Sequence, residues 1–459
     1  MATLEAHLST IMPTRIQGRV VRTVGLAISV EGFPAPIGAI ATIDRPGDEP
    51  LEAEVVGFQE SLTILYPMGE LAGVRRGDVV RLMQTTQWLR VGPQLLGRVI
   101  DARGQCIDGR PQATLPERTA VWRRAPAAVA RPTIDQSLST GLRAIDGLLT
   151  CGRGQRMGIF SGAGVGKSVS LGMMARYTSA DVRVIALVGE RGREVNEFLE
   201  RDLGPEGLAR SVVVVATGDE PAVLRVRAAA VATAVAEYFR DRGADVLLLF
   251  DSLTRLALAQ REIGLAAGEP PTTRGYPPSV FAMMPRLLER TGATKQGSIT
   301  AFYSVLVEAD DASEPISDCV RGLLDGHTFL SRQLAERGHY PAIDVLGSIS
   351  RLMPAITPPE QQQAATRIRE LLAAYREHED LISIGAYRRG TNATVDTAID
   401  LRDDVNAYLQ QSIGQPSTVE EAREQLLALA EKAQAPRNNP VAQNSNSAMQ
   451  PAGTLQRSV

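Results

Sequence analysis

The chain has 459 residues, 44% of them hydrophobic and 22% charged, with a formal net charge of −3. That length admits about three domains of roughly 150 residues, and the near-neutral charge excludes a protein that works by bulk phosphate neutralisation, such as a basic nucleic-acid coat. No apolar run reaches the roughly 18 residues that span a bilayer, and Met1 to Ser9 lack the basic patch and apolar core of a signal peptide, so a cytosolic protein is expected.

Residues 14 to 85 read as short strands: Arg15 to Val21, Leu26 to Val30, Ala39 to Ile43, Glu52 to Phe58, Leu62 to Tyr66 and Asp78 to Leu82, punctuated by Gly25, Gly32, Pro46-Gly47 and Gly77. Short strands with regular turn signals predict a small closed barrel. A nucleic-acid-binding barrel would want clustered aromatics and basic residues; Phe33, Phe58, Tyr66 and Trp88 do not cluster. From about 90 to 350 the pattern becomes strand, helix, strand. Nearly continuous apolar runs at Met157 to Ser161, Val182 to Val188, Val212 to Ala216, Val246 to Phe250 and Ser298 to Leu306 suit the interior of a parallel sheet. A helix is expected from Pro221, with Val223, Val226, Ala230, Val231, Ala234, Val235 and Tyr238 at helical spacing. Alternation of this length predicts a doubly wound α/β domain. Residues 355 to 433 predict a helical bundle, with helices from Pro359 to Arg376 and from Thr418 to Ala433. The segment from Gln434 to Val459, with no acidic and almost no large apolar residue, is expected to be disordered. The expected organisation is a barrel segment over 1–90, an α/β domain over 91–352, a helical domain over 353–433 and a tail over 434–459.

The strongest chemical signal is Ser161-Gly162-Ala163-Gly164-Val165-Gly166-Lys167-Ser168, which follows an apolar strand and opens a helical stretch. Glycines let the backbone wrap so that N–H groups face phosphate oxygens. The helix N-terminus adds partial positive charge, a lysine reaches the β and γ phosphates, and a hydroxyl ligates Mg²⁺. The loop pattern usually opens with Gly, and Ser161 stands there instead. Lysine occurs only at 167, 295 and 432 among 49 basic residues, so its presence in the loop is not a compositional accident. Asp251, at the end of the apolar run Val246 to Phe250 and about 85 residues beyond the loop, suits the carboxylate that holds the Mg²⁺ shell. Gly189-Glu190-Arg191 closes another strand, on the side where open α/β sheets bind ligands; a carboxylate there can polarise an attacking water. Cys106, Cys151 and Cys319 are far apart and read as packing thiols.

From Thr140 to Arg351 the sequence resembles the ATPase family that includes the catalytic β subunit of rotary ATP synthases and the type III protein-export ATPases. The resemblance rests on Thr140-Gly141-Leu142-Arg143-Ala144-Ile145-Asp146-Gly147-Leu148, on the loop, and on Pro341-Ala342-Ile343-Asp344-Val345-Leu346-Gly347-Ser348-Ile349-Ser350; it extends over roughly 15 to 430. Gly189 to Glu197, Gly268 to Arg290 and Gly322 to Arg332 resemble the flagellum-specific branch most, with the injectisome branch a near neighbour. The resemblance implies a RecA-like P-loop domain that binds ATP and Mg²⁺. It implies nucleotide contacts from Gly162, Ala163, Gly164, Val165, Gly166, Lys167, Ser168 and Val169, with Mg²⁺ at Ser168 and Asp251. It implies Glu190 as catalytic glutamate, Arg191 and Arg255 around the phosphates, Tyr340 on adenine, and Arg351 as an arginine finger reaching the neighbouring subunit's site.

A finger in trans implies a homohexameric ring. The implied partners are a dimeric export regulator at the N-terminus, where Leu4, Leu8 and Ile11 are helically spaced, a central stalk and chaperone–substrate complexes at the C-terminal domain (Arg367 to Tyr387), and an export gate. Association with the cytoplasmic face of the inner membrane, and no nucleic acid, are implied likewise. The alternatives are an injectisome ATPase, a rotary synthase subunit, a nucleic-acid translocase ring and a non-enzymatic nucleotide sensor; Glu190 and Arg351 together oppose the last.

Overall fold

The structure, a computed structural model, describes residues 16–307 and 314–434. The N-terminal Leu4, Leu8 and Ile11 and the tail from 435 onward lie outside the described residues.

Strands Gln17–Val24, Ala27–Glu31, Ile40–Ile43, Leu51–Gln59, Leu62–Pro67 and Val79–Gln84 close into a six-stranded barrel, the first bonding to both the second and the sixth. Two-residue alternation puts Leu51, Ala53 and Val55 inside, against Ile28, Val30, Leu65 and Val80. Closure leaves no unpaired edge. Trp88 is not a barrel residue: Trp88–Val91 pairs with Glu117–Ala120 in a separate ribbon. Tyr66 is buried, and its hydroxyl donates to Glu262 on a helix of the next layer, which fixes the barrel to the central sheet.

The central sheet runs Ile343–Ser350, Gly326–Leu330, Arg156–Ser161, Ser298–Leu306, Asp245–Asp251, Val182–Glu190, Ser211–Thr217, Arg98–Asp101. Five of these strands are the expected apolar runs. Gly326–Leu330 and Arg98–Asp101 are too short and polar to stand out in sequence. Ile343–Ser350 pairs antiparallel with Gly326–Leu330, so the sheet is mixed at that edge. All nine residues of Val182–Glu190 are buried, as expected of a strand covered on both faces. The helix after Pro221 spans Ala222–Arg240, and every residue of it except Arg225 is buried. Its expected one-sided apolar stripe is therefore only part of its contact surface, because the sheet lies on one side and helix Leu253–Ala266 on another. It carries a fully buried pair, Glu237 with Arg290, bonded at 3.0 and 2.8 Å.

The C-terminal region is helical: Pro359–Ser383, Ala393–Asp400, Arg402–Leu409 and Val419–Gln434. The first runs seven residues beyond its expected end at Arg376, to Ser383. The short helix Arg143–Leu148 joins this region to the sheet. Arg143, 8% exposed, donates to the carbonyls of Ala407, Tyr408 and Gln410 and to the Gln425 side chain. Among the described residues, no helix is long and apolar enough to cross a membrane.

Arg143→Met should lower unfolding free energy by about 3 kcal/mol, because it strands several buried carbonyl acceptors. Urea unfolding followed by circular dichroism checks this; a loss below about 0.5 kcal/mol, the range of an ordinary surface substitution, would mean that Arg143 does not hold the C-terminal helices.

Candidate active site

Four strands end at one edge of the sheet: Ser161, Glu190 and Asp251 terminate three of them, and Ser304 lies near the end of the fourth. The chain leaves Ser161 and wraps through Gly164 at φ 78° and Gly166 at φ 89°, conformations that glycine adopts without steric cost. It then enters helix Lys167–Tyr177. Val165 is buried beneath the loop, whereas Ala163, Gly164 and Ser168 are exposed and Val169 is half-buried. The helix therefore points its first N–H groups and the Ser168 hydroxyl at open space above the sheet.

Lys167 folds back over that edge. Its ammonium pairs directly with Asp251 and lies 3.7 Å from Glu190. Asp251 also accepts from Ser304 at 2.6 Å, a contact from the intervening strand that no motif announces. Glu190 is 6% exposed. Its Oε2 lies 3.0 Å from Arg255, whose other nitrogen donates to the Gly189 carbonyl. Burial pushes the Glu190 carboxyl up to about 7, assisted by the neighbouring Asp251 charge and a hydrogen bond to Glu194, and opposed by Lys167 and Arg255. Glu194, accepting that hydrogen bond, is held below its ordinary value.

The remaining expected residues fall on either side of the loop or away from it. Tyr340 is 45% exposed, and a Cβ placed on Gly166 would sit 3.4 Å from its ring. It shares a cavity of about 930 Å³ with Gly164, Val169, Ser170 and the loop Gln410 to Gln415. That loop was invisible in sequence; it is tied here by the Gln411 N–H to the Tyr340 carbonyl at 3.0 Å. On the other side, Ala163, Gly189, Arg191, Arg225, Thr254 and Arg255 border a cavity of about 640 Å³. Arg191 is mostly exposed and pairs with Glu194. Arg351 stands apart. It follows the antiparallel edge strand, and its N–H bonds the Asp325 carbonyl beside Arg156. This is the opposite end of the strand from Ser161, five residues or roughly 17 Å away, and the residue is exposed.

The residues suit a phosphate with a hard cation. Glu190 Oε1 and Ser161 Oγ are buried without a hydrogen-bond partner. The oxygen donors at Ser168 and Asp251 are of the kind Mg²⁺ prefers, and the loop and helix terminus provide an anion cradle. A glycine loop, its lysine and two strand-end carboxylates on a largely parallel sheet define a P-loop ATPase with a RecA-like domain.

Comparison with known proteins resolves the class further. Residues 141–350 match the ATP synthase alpha/beta family, nucleotide-binding domain. Residues 357–428 match the T3SS EscN ATPase C-terminal domain. The flagellum-specific ATP synthase of Bacillus subtilis is 51% identical over 90% of this chain and 94% of its own. The type 3 secretion system ATPase of Xanthomonas euvesicatoria is 51% identical over 94% of this chain and 98% of its own. The assembled ATPase EscN of the enteropathogenic E. coli type III secretion system superposes with a TM-score of 0.84 at 43% identity, covering 90% of this chain and all of that one; EscN has also been solved in complex with its central stalk EscO. The chain belongs to the ATP synthase alpha/beta family and, within it, to the flagellar and type III secretion ATPases. It is an ATPase.

Turnover that requires an ionised Glu190 should rise as pH passes upward through about 7, because a protonated carboxyl cannot accept a proton from water. Glu194→Gln removes a contact that raises the Glu190 value, and should move the acidic limb to lower pH. Phosphate release against pH at ATP well below half-saturation, where the free enzyme titrates, measures this; an unmoved limb would mean that Glu190 is not the titrating group.

Proposed function

We propose that this chain hydrolyses Mg²⁺-ATP to energise or gate the export of unfolded flagellar proteins, as a homohexamer whose sites lie between neighbouring subunits. The position of Arg351 carries the reading: an exposed guanidinium at the far end of the edge strand serves no phosphate on its own loop, but is free to reach a neighbour's. The proposed domains are those expected from sequence, 1–90, 91–352, 353–433 and 434–459.

In the proposed mechanism the adenine stacks on Tyr340, and the phosphates lie along the N–H groups of Gly162 to Val169. Lys167 leaves Asp251 for the β and γ phosphates, which releases the Asp251 carboxylate. Ser168 and Asp251 would hold Mg²⁺, which when bound neutralises phosphate charge. Glu190, ionised, accepts a hydrogen bond from a water and orients it toward the γ phosphorus. Arg255 keeps that carboxylate aligned, and Arg191 and the neighbour's Arg351 stabilise the charge on the transferring group. Relaxation of the interface after hydrolysis changes how adjacent helical domains pack, the step open to coupling with cargo.

The proposed partners are further copies of itself, a regulator dimer at the N-terminus, a central stalk and chaperone–substrate complexes at the C-terminal helices, and an export gate, with no nucleic acid. The proposed place is the cytoplasmic face of the inner membrane. A second reading, an injectisome ATPase with the same chemistry and different cargo, stands beside it: the Xanthomonas type 3 secretion relative and the Bacillus flagellar relative are each 51% identical to this chain. Restored motility in a strain lacking its flagellar export ATPase separates the two.

Lys167→Ala should abolish turnover, and Glu190→Gln should bind ATP while losing roughly 10²- to 10⁴-fold in rate. Phosphate-release assays and nucleotide binding measure both; near-normal turnover by Glu190→Gln removes its role. Arg351→Ala and Lys167→Ala chains, each inactive alone, should regain activity when mixed, since some interfaces then join an intact loop to an intact finger. No recovery in mixed rings argues against a shared site.

A further inference from the structure

Away from the nucleotide edge, a cavity of about 890 Å³ opens between the barrel and the helices that cover the sheet. Its wall contains five arginines, Arg123, Arg124, Arg227, Arg286 and Arg290, and one carboxyl group, Glu54. For a chain of net charge −3 this is a local inversion of sign. Burial pushes the Glu54 carboxyl up to about 7 against the pull of Arg227, so its charge offsets the arginines only in part. Arg123 pairs with Asp241 at 2.9 Å, and Arg227 donates to the Ala102 carbonyl at 3.0 Å. Arg124 and Arg286 are exposed and enter no ion pair among the described residues.

Arg290 supplies a separate observation. It is 1% exposed, and Glu237 takes its Nε and Nη2 at 3.0 and 2.8 Å. Its Nη1 is left buried with no acceptor. Buried polar groups in folded proteins are almost always bonded; this unmet donor lies closed off behind the cavity wall, so Arg290 adds positive charge to the wall while the exposed Arg124 and Arg286 are the guanidinium groups that an anion in the cavity can touch.

The chemistry narrows that anion. Guanidinium groups pair planar forks with carboxylate or phosphate oxygens. One carboxylate satisfies one fork, whereas an oligophosphate presents enough oxygens for several. Much of the remaining wall is apolar, with Val55, Val226 and Ile263 buried and Trp122 at 45% exposure, and Gln260 and Ser279 add polar groups. These walls leave room for an organic body and offer a stacking face to an aromatic one.

We propose that this cavity is a second anion site, separate from the phosphate loop, that binds an oligophosphate. Two helices carry residues of both sites. Leu253–Ala266 contributes Thr254 and Arg255 to the phosphate side of the nucleotide site, and Gln260 and Ile263 to this one. Ala222–Arg240 contributes Arg225 to the first, and Val226 and Arg227 to the second.

The chain has two tryptophans, so in a Trp88→Phe chain Trp122 alone reports emission. Tripolyphosphate should change that emission saturably, with a half-saturation that is the same when Lys167→Ala disables the loop. Arg124→Gln with Arg286→Gln should raise the half-saturation about tenfold. Absence of any change at millimolar tripolyphosphate, a half-saturation that moves with Lys167→Ala, or one indifferent to the arginine substitutions would each overturn the site. In the Lys167→Ala chain, tighter saturation by ATP than by tripolyphosphate supports an organic oligophosphate, and equal saturation supports an inorganic one. A catalytic assignment that failed would leave these emission readings untouched, so the two ideas fall separately.

Discussion

Two carboxylates, Glu190 and Asp251, end neighbouring strands at the edge where the phosphate loop begins, and one ammonium, Lys167, stands over both. Buried anions that close repel one another and lose solvation, so each needs a cation or a proton. Asp251 takes the lysine and the Ser304 hydroxyl. Glu190, left with Arg255 and a distant share of the lysine, lies near neutrality in its titration. The arrangement leaves the loop N–H groups facing outward, which favours a ligand that brings its own negative charge and draws the lysine away, and leaves Glu190 Oε1 ready to accept a hydrogen bond.

That edge is not built by the sheet alone. The cavity beside Tyr340 takes part of its wall from Gln410 to Gln415, which follow helix Arg402–Leu409. Arg143 and Gln411 bind this segment from both sides: the guanidinium takes carbonyls at 407, 408 and 410, while Gln411 bonds Gly141, Arg143 and the Tyr340 carbonyl. The Tyr340 side of the phosphate loop and the packing of the C-terminal helices therefore share hydrogen bonds. Coupling between sites needs an element whose arrangement both can bias, and this short segment is physically placed to be one.

The barrel meets the sheet through Tyr66, Glu262 and Arg225, close to the arginine-lined cavity. Helices that begin at the phosphate edge run back to this contact. The phosphate edge, the barrel contact and the second cavity are thus built on the same two helices, and rigid helices transmit displacement along their length better than loops do.

Local patterns made much of this legible in advance. Six short strands with glycine turns determined the barrel, because strand alternation and turn chemistry act within a few residues. The loop from Ser161 to Ser168 was readable because its residue types stand at close spacing, and Asp251 and Glu190 because each closes a continuous apolar run. Tertiary structure alone decided the rest. Ser304, Glu194 and the Gln410 to Gln415 segment matter through neighbours brought together by folding, and their residue types are unremarkable in sequence. The antiparallel strand Ile343–Ser350 separates Tyr340 from Arg351 by a strand length, so two residues of one short motif end on opposite sides of the sheet. Spacing along a chain records what one segment can do; which segments share a face depends on burial of the whole sheet, and no local window contains that information.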